Sequence, residues 1–128
     1  MNTSSSETSI FSFAAGKLIL DGNFLKPEPE LRKGTIDFVQ KNSQITLRWK
    51  LRPEGTIIDE FPLDKTSTVI RQVPLSGSSY GFQVKGNGQS LFYWIQEPNT
   101  TPSSFSDILS QMQHLAKIST VNTCLFSF

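Results

Sequence analysis

The chain is 128 residues long, enough to bury a core without disulfides or a structural metal, and one domain is expected. Its 12 Lys and Arg against 11 Asp and Glu leave a formal charge of +1, which offers no basic field for nucleic acid. A single cysteine, Cys124, excludes an intramolecular disulfide framework, and no apolar run approaches the roughly 20 residues of a membrane-spanning helix.

The opening MNTSSSETS lacks the charged start and apolar run of a secretory signal, so a soluble, intracellular chain is expected. Residues 1–9 are polar and Ser/Thr-rich and read as a disordered tail. From Ile10 to Gln96, short alternating runs are broken by Gly, Pro, Asn and Asp, the texture of an antiparallel meander. Two runs, Ile10 to Ala14 and Lys17 to Asp21, flank Ala15-Gly16, and the stretch NFLKPEPELRKG reads as a long break. TIDFVQ places Ile36 and Phe38 on one face, and Asn42-Ser43 turns the chain into QITLRWKL. In that strand Ile45, Leu47, Trp49 and Leu51 alternate with Thr46, Arg48 and Lys50, the pattern of a half-buried strand.

Arg52 to Thr68, with two prolines, a glycine and several charges, reads as a surface excursion. VIRQVP resumes the sheet, and YGFQVK and SLFYWIQ enclose GNGQ, where Asn87-Gly88 suits a type I′ turn. After Pro98 the period changes. Phe105, Ile108, Leu109, Met112, Leu115 and Ala116 form one helical stripe, with Ser104 as the expected N-cap and Asp107 three residues on. The predicted class is mainly β, a pleckstrin-homology-like bent antiparallel barrel capped by one C-terminal amphipathic helix over residues 10–118. Residues 119–128 form a short apolar tail with no assigned role.

Catalysis needs a base, a nucleophile or a metal cluster, and the sequence is poor in all three. His114 is the only histidine and falls beside the apolar stripe, where a solvated role is expected. Cys124 sits in the apolar tail as an inert thiol, Asp59 and Glu60 read as solvated charge, and GNGQ precedes a strand, the wrong setting for a phosphate loop. No enzyme, cofactor or metal is expected. A binding module is left.

LFYWIQEPN, Leu91 to Asn99, is the candidate binding stretch. Alternation sends Leu91, Tyr93 and Ile95 to one face and Phe92, Trp94 and Gln96 to the other. One apolar face serves the core. The second reads as a docking surface centred on Trp94, suited to an extended, proline-containing peptide, the alternative being that the helix covers one face and the barrel interior the other.

AAGKLILDG, KPEPELRKG, the Trp in LRWK, RQVP and above all LFYWIQEPN resemble, in that order, the pleckstrin-like receptor-for-ubiquitin (Pru) domain of the proteasome regulatory particle. The resemblance covers about residues 10–117. It implies no enzyme, a location in cytoplasm and nucleus, and docking onto the C-terminal segment of a regulatory-particle scaffold subunit. Carried over residue by residue, Leu18, Leu20, Leu25, Pro27, Val73, Phe92, Trp94, Gln96, Glu97 and Pro98 would form that surface, with Arg32 and Lys33 at its edge. Two departures are Ser90, where a basic residue is expected, and KPEPELRKG, two residues longer than usual.

The resemblance also implies ubiquitin binding through loops at the opposite end, and there the motif is poorly kept. The corresponding positions are Gln44 with Ile45 beside it, Asp64 or Phe61 depending on the gap, and Val84 with Lys85. Weak ubiquitin binding is therefore expected, and a docked structural subunit without it is an alternative. The helical domain that recruits a deubiquitinase in longer family members has too few residues here after Lys117. A further alternative is a phosphoinositide module with Lys17, Lys26, Arg32 and Lys33 as its basic pocket, although a solvated rim of these cations, and hence no membrane partner, is the preferred reading.

Overall fold

In chain order the elements are β1 (Thr8–Asp21), β2 (Phe24–Pro27), β3 (Gly34–Lys41), β4 (Gln44–Leu51), β5 (Ile57–Pro62), β6 (Val69–Val73), β7 (Gly81–Gly86), β8 (Gln89–Ile95) and α1 (Pro102–Ile118). The computed structural model describes residues 6–75 and 77–120. Cys124 and most of the expected tails lie outside the described residues. All pairings are antiparallel and follow the path β5-β4-β3-β1-β8-β7-β6, with β2 added beside the end of β1. The mainly β, pleckstrin-homology-like fold with one C-terminal helix is thus present. The sheet bends but stays open, because β5 and β6 are the two ends of the path. α1 packs along β6, where Gln113 Nε2 donates to the Ile70 carbonyl at 3.0 Å.

β1 joins the two halves of the sheet. Its start pairs with β3, Ala15 to Lys17 pair with β8, and Leu18 to Asp21 pair with β2. The expected break at Ala15-Gly16 is absent, because these small residues are where large rings of other strands approach β1. The strand also starts at Thr8, two residues into the expected tail, and Glu7 already pairs with Arg48. Two short strands emerge from stretches expected to be irregular. β2 is an edge strand ending in Pro27, a position where the missing N–H costs little. β5 lies inside Arg52 to Thr68, its alternation masked by Asp59 and Glu60.

The Asn42-Ser43 and Asn87-Gly88 turns form as expected, the latter with φ of 51° and 79°. The helix begins differently. Thr101 is the N-cap, Pro102 opens the helix, and Ser104 is the third residue of a reciprocal capping box.

One core fills the bend. Phe13, Ile36, Phe38, Ile45, Leu47, Trp49, Phe82, Tyr93 and Ile95 meet Phe105, Met112, Leu115 and Ala116 of α1 there. A chain of rings crosses it: Phe13 to Phe82 at 6.0 Å, Phe82 to Tyr93 at 5.6 Å, and Tyr93 to Trp49 at 6.1 Å. Trp49 lies across Gly34 and donates its indole N–H to the Ala15 carbonyl at 2.8 Å. It is therefore the sealed tryptophan.

Candidate docking face and loop end

Strand β8 divides as its alternation requires. Tyr93 and Ile95 are buried in the core, whereas Phe92, Trp94 and Gln96 are half-buried on the outer face. Register extends that face across four strands, since Gly16 pairs with Trp94, Trp94 with Gly81, and Gly81 with Val73. Both strand neighbours of Trp94 are thus glycines. A Cβ at Gly16 would sit 2.5 Å from Trp94 Nε1 and 2.6 Å from Gln96 Nε2, so the indole and the amide lie on bare backbone. A Cβ at Gly81 would meet Leu75 Cδ1 at 2.8 Å, so Leu75 closes over the other flank. Along β1 the same face carries Leu18 and Leu20, which pair with Pro27 and Leu25.

Register therefore brings Leu18, Leu20, Leu25, Pro27, Val73, Phe92 and Trp94 to one face. Their exposure is unequal. Leu20 is 62 % exposed, whereas Leu18 and Val73 are buried at 2 % and 6 %. These two are a correction to the expected contact set: they form the floor of the face and offer no free surface.

The polar members are tied inward. Gln96 Oε1 accepts from Arg52 Nη2 at 2.9 Å and from the Gly34 amide at 3.3 Å, while its Nε2 donates to the Arg32 carbonyl at 3.3 Å. Glu97 Oε2 accepts from the Ala14 amide at 2.7 Å. Arg32 grips Glu28 with two bonds, Nε to Oε2 at 2.9 Å and Nη2 to Oε1 at 2.8 Å, and stacks 5.3 Å from the Trp49 ring. The bonded guanidinium holds the Glu28 carboxyl below its ordinary range, and the carboxylate in turn raises Arg32. Lys33 and Pro98 are exposed.

The mouth of the core is closed by Lys17, Asp59 and Tyr93. Asp59 Oδ2 accepts from Lys17 Nζ and, at 2.8 Å, from the Tyr93 hydroxyl, while the ammonium sits 5.1 Å from the Tyr93 ring. Burial first, then the charge of Asp59 and this hydrogen bond, push the Tyr93 phenol far up. Asp59 is thus a half-buried partner and not solvated charge, and Glu60 binds Arg48. Three members of the expected phosphoinositide pocket are also neutralised locally: Lys17 by Asp59, Lys26 by Asp21, and Arg32 by Glu28. His114 is exposed on α1.

At the opposite end lie the β3–β4 turn, residues 63–68 and the β7–β8 turn. Ile45, Phe61 and Val84 are buried at 0 %, 1 % and 0 %, a correction to any role for them in direct contact. Gln44 and Asp64 are half-buried and Lys85 is exposed. Asp64 caps its own loop through Thr66 and Ser67, which lowers its carboxyl. Val69, 53 % exposed at the start of β6, is an apolar side chain next to this end. Sequence reasoning missed Ser119. Its hydroxyl donates to the Leu63 carbonyl and accepts from the Ile45 amide, both at 2.8 Å, stitching two of these loops to the end of α1. No sequence signal marks it.

Residues 10–115 match the family described as proteasome complex subunit Rpn13, Pru domain. Among curated proteins, the proteasomal ubiquitin receptor ADRM1 of Mus musculus is 37 % identical over 100 residues, 75 % of this chain and 24 % of that protein. Its Homo sapiens counterpart is 36 % identical over 95 residues, 71 % of this chain and 23 % of that protein. The ADRM1 homolog of Drosophila melanogaster is 29 % identical over 104 residues, 78 % and 26 %. The chain spans about a quarter of the length of these relatives.

Proposed function

The chain belongs to the Pru-domain family of the proteasome subunit Rpn13, a family of receptor domains and not of enzymes, and on that premise we propose that it is the docking and receptor domain of a proteasomal ubiquitin receptor. It attaches to the C-terminal extended segment of a regulatory-particle scaffold subunit through the outer face of β8, β1 and β2, in cytoplasm and nucleus. The observation that carries this reading is the half-buried Trp94 lying over Gly16, with Phe92, Leu20, Leu25 and Pro27 on the same face. A partner that covers such an indole gains the contact most enriched among interface anchors. An extended, proline-containing segment fits a shallow sheet face at low entropic cost.

Ubiquitin is engaged weakly at the loop end, because the aromatic and β-branched side chains nearest the expected contact positions, Phe61, Ile45 and Val84, are spent on the core. The phosphoinositide alternative is disfavoured by the carboxylates already bound to Lys17, Lys26 and Arg32.

Titration of the purified chain with a synthetic peptide of the scaffold segment tests the docking. A dissociation constant of about 10 μM or tighter, weakened by Trp94→Ala, is the expected result. Absence of binding, or binding indifferent to Trp94→Ala, overturns the reading.

A further inference from the structure

Strands β6, β7 and β8 contain no Asp or Glu, yet they carry Arg71 and Lys85, both exposed. Register fixes where these cations stand. Partners in an antiparallel ladder share a face, and Lys85 pairs with Ser90 and Val69, Arg71 with Gln83, and Gln83 with Phe92. Ser90, Phe92 and Trp94 alternate along β8, so Lys85 and Arg71 stand on the outer face that carries Trp94, one and two strands away from it. Lys85, expected among the loop-end contacts, thus points the same way as the Trp94 indole.

Hydrogen bonding sets the guanidinium in place. The Gln83 side chain, only 5 % exposed, accepts from Arg71 Nε at 2.7 Å through Oε1 and donates to the Ser90 hydroxyl at 3.3 Å through Nε2. Among the described residues no protein acceptor meets the Arg71 Nη groups, and neither Arg71 nor Lys85 has a carboxylate partner. Lys17, Lys26, Arg32, Arg48 and Lys50 each have one. Beside the two cations is an open groove of about 340 Å³ lined by Ser67, Val69, Arg71, Lys85 and the Asn87-Gly88 turn. Asp64 reaches its rim at Ser67, but that carboxylate is turned onto its own loop through Thr66 and Ser67. A guanidinium already held along one edge loses less freedom when its other edge takes up a carboxylate.

We infer that Arg71 and Lys85 form a cationic flank of the docking face, and that the partner segment covering Trp94 places acidic side chains there. The inference rests on the docking proposed above and adds a direction and a charge to it. From Trp94 the segment continues past Phe92 and Ser90 over β7 and β6, and its part lying there carries Asp or Glu. Two cations are too few to hold a domain on an anionic bilayer, where clusters of about four to eight are usual.

The test is a fluorescence titration at about 50 and about 300 mM salt, a range over which exposed charges become screened. The labelled scaffold peptide, and the same peptide with every Asp and Glu replaced by Asn and Gln, are titrated against the wild-type chain, an Arg71→Gln/Lys85→Gln double variant and Trp94→Ala. Both glutamine positions are exposed, so the thermal midpoint of the double variant should hold. It should bind the unmodified peptide about three- to tenfold more weakly than the wild type at the lower salt, with most of the difference gone at the higher, and bind the neutralised peptide as the wild type does. If Trp94→Ala weakens binding while the double variant matches the wild type in affinity and salt dependence, the cationic flank is wrong and the docking stands. If the wild type fails to bind or Trp94→Ala is silent, the docking reading falls and takes the flank with it. A double variant that keeps peptide binding but loses ubiquitin-induced chemical shifts, or pelleting with phosphatidylcholine–phosphatidylserine vesicles, would assign the cations to those partners and overturn the inference.

Discussion

A single methyl group at Gly16 should dismantle the docking face from beneath. A Cβ there would stand 2.5 Å from Trp94 Nε1 and 2.8 Å from Trp94 Cε2, so Gly16→Ala must lift the indole off the sheet. Overpacking of this kind costs about 1–3 kcal/mol. Against that, alanine restricts the unfolded chain and returns about 0.4–1 kcal/mol. The net loss is up to about 2.5 kcal/mol, a fall of up to about 10 °C in thermal midpoint. Peptide affinity suffers separately. A half-buried Trp has at most about 90 Å² left to cover, which at about 25 cal/mol per Å² is up to about 2 kcal/mol, or up to about 30-fold. The assay is a double-mutant cycle by thermal denaturation and peptide titration. In a Trp94→Ala background the indole is gone and only Gln96 Nε2, 2.6 Å from the new Cβ, remains to be displaced, so Gly16→Ala should cost clearly less than in the wild type. An equal cost in both backgrounds, or undiminished affinity in Gly16→Ala, refutes the reasoning.

Phe61→Ala should cost about 3–5 kcal/mol and Val84→Ala roughly 2 kcal/mol in chemical denaturation, because both side chains are core. A selective loss of ubiquitin binding without loss of stability would contradict their placement. Ser119→Ala removes the partner of the Ile45 amide at a fully buried site and should cost about 1–3 kcal/mol, read from the denaturant midpoint. Two limbs are expected in stability against pH. The folded carboxyl of Glu28 lies below 4.5, so its contribution is present above that pH and fades as acid protonates it, and Glu28→Gln should flatten this limb. The folded phenol of Tyr93 lies above 10.0, so stability is full below that pH and falls above it, where the unfolded phenol ionises and the buried one does not. Tyr93→Phe should remove the alkaline fall.

The long-period features were legible. Alternation in QITLRWKL and LFYWIQ assigned the two faces of β4 and β8, the Asn87-Gly88 turn set the β7–β8 register, and the stripe from Phe105 to Ala116 gave α1. Such patterns survive because burial of one face dominates local preference. What stayed hidden depends on contacts across the chain. Gly16 reads as a break until Trp94 is known to lie on it. β5 is short and carries Asp59 and Glu60, whose charges make sense only once Lys17 and Arg48 stand opposite. Leu18, Val73, Ile45, Phe61 and Val84 were expected at contact surfaces by position alone, and burial removes them. Leu31 has no sequence mark of its left-handed backbone, which comes from the Glu28–Arg32 clamp around it.

The two indole N–H resonances in a proton–nitrogen spectrum provide the most direct measurement. Trp49 is fully buried and donates to Ala15, whereas Trp94 is half-buried on the outer face. On addition of the scaffold peptide, the Trp94 indole signal should shift or broaden while that of Trp49 stays in place. A bound peptide that leaves the Trp94 signal untouched, or that moves Trp49 alone, would contradict the account.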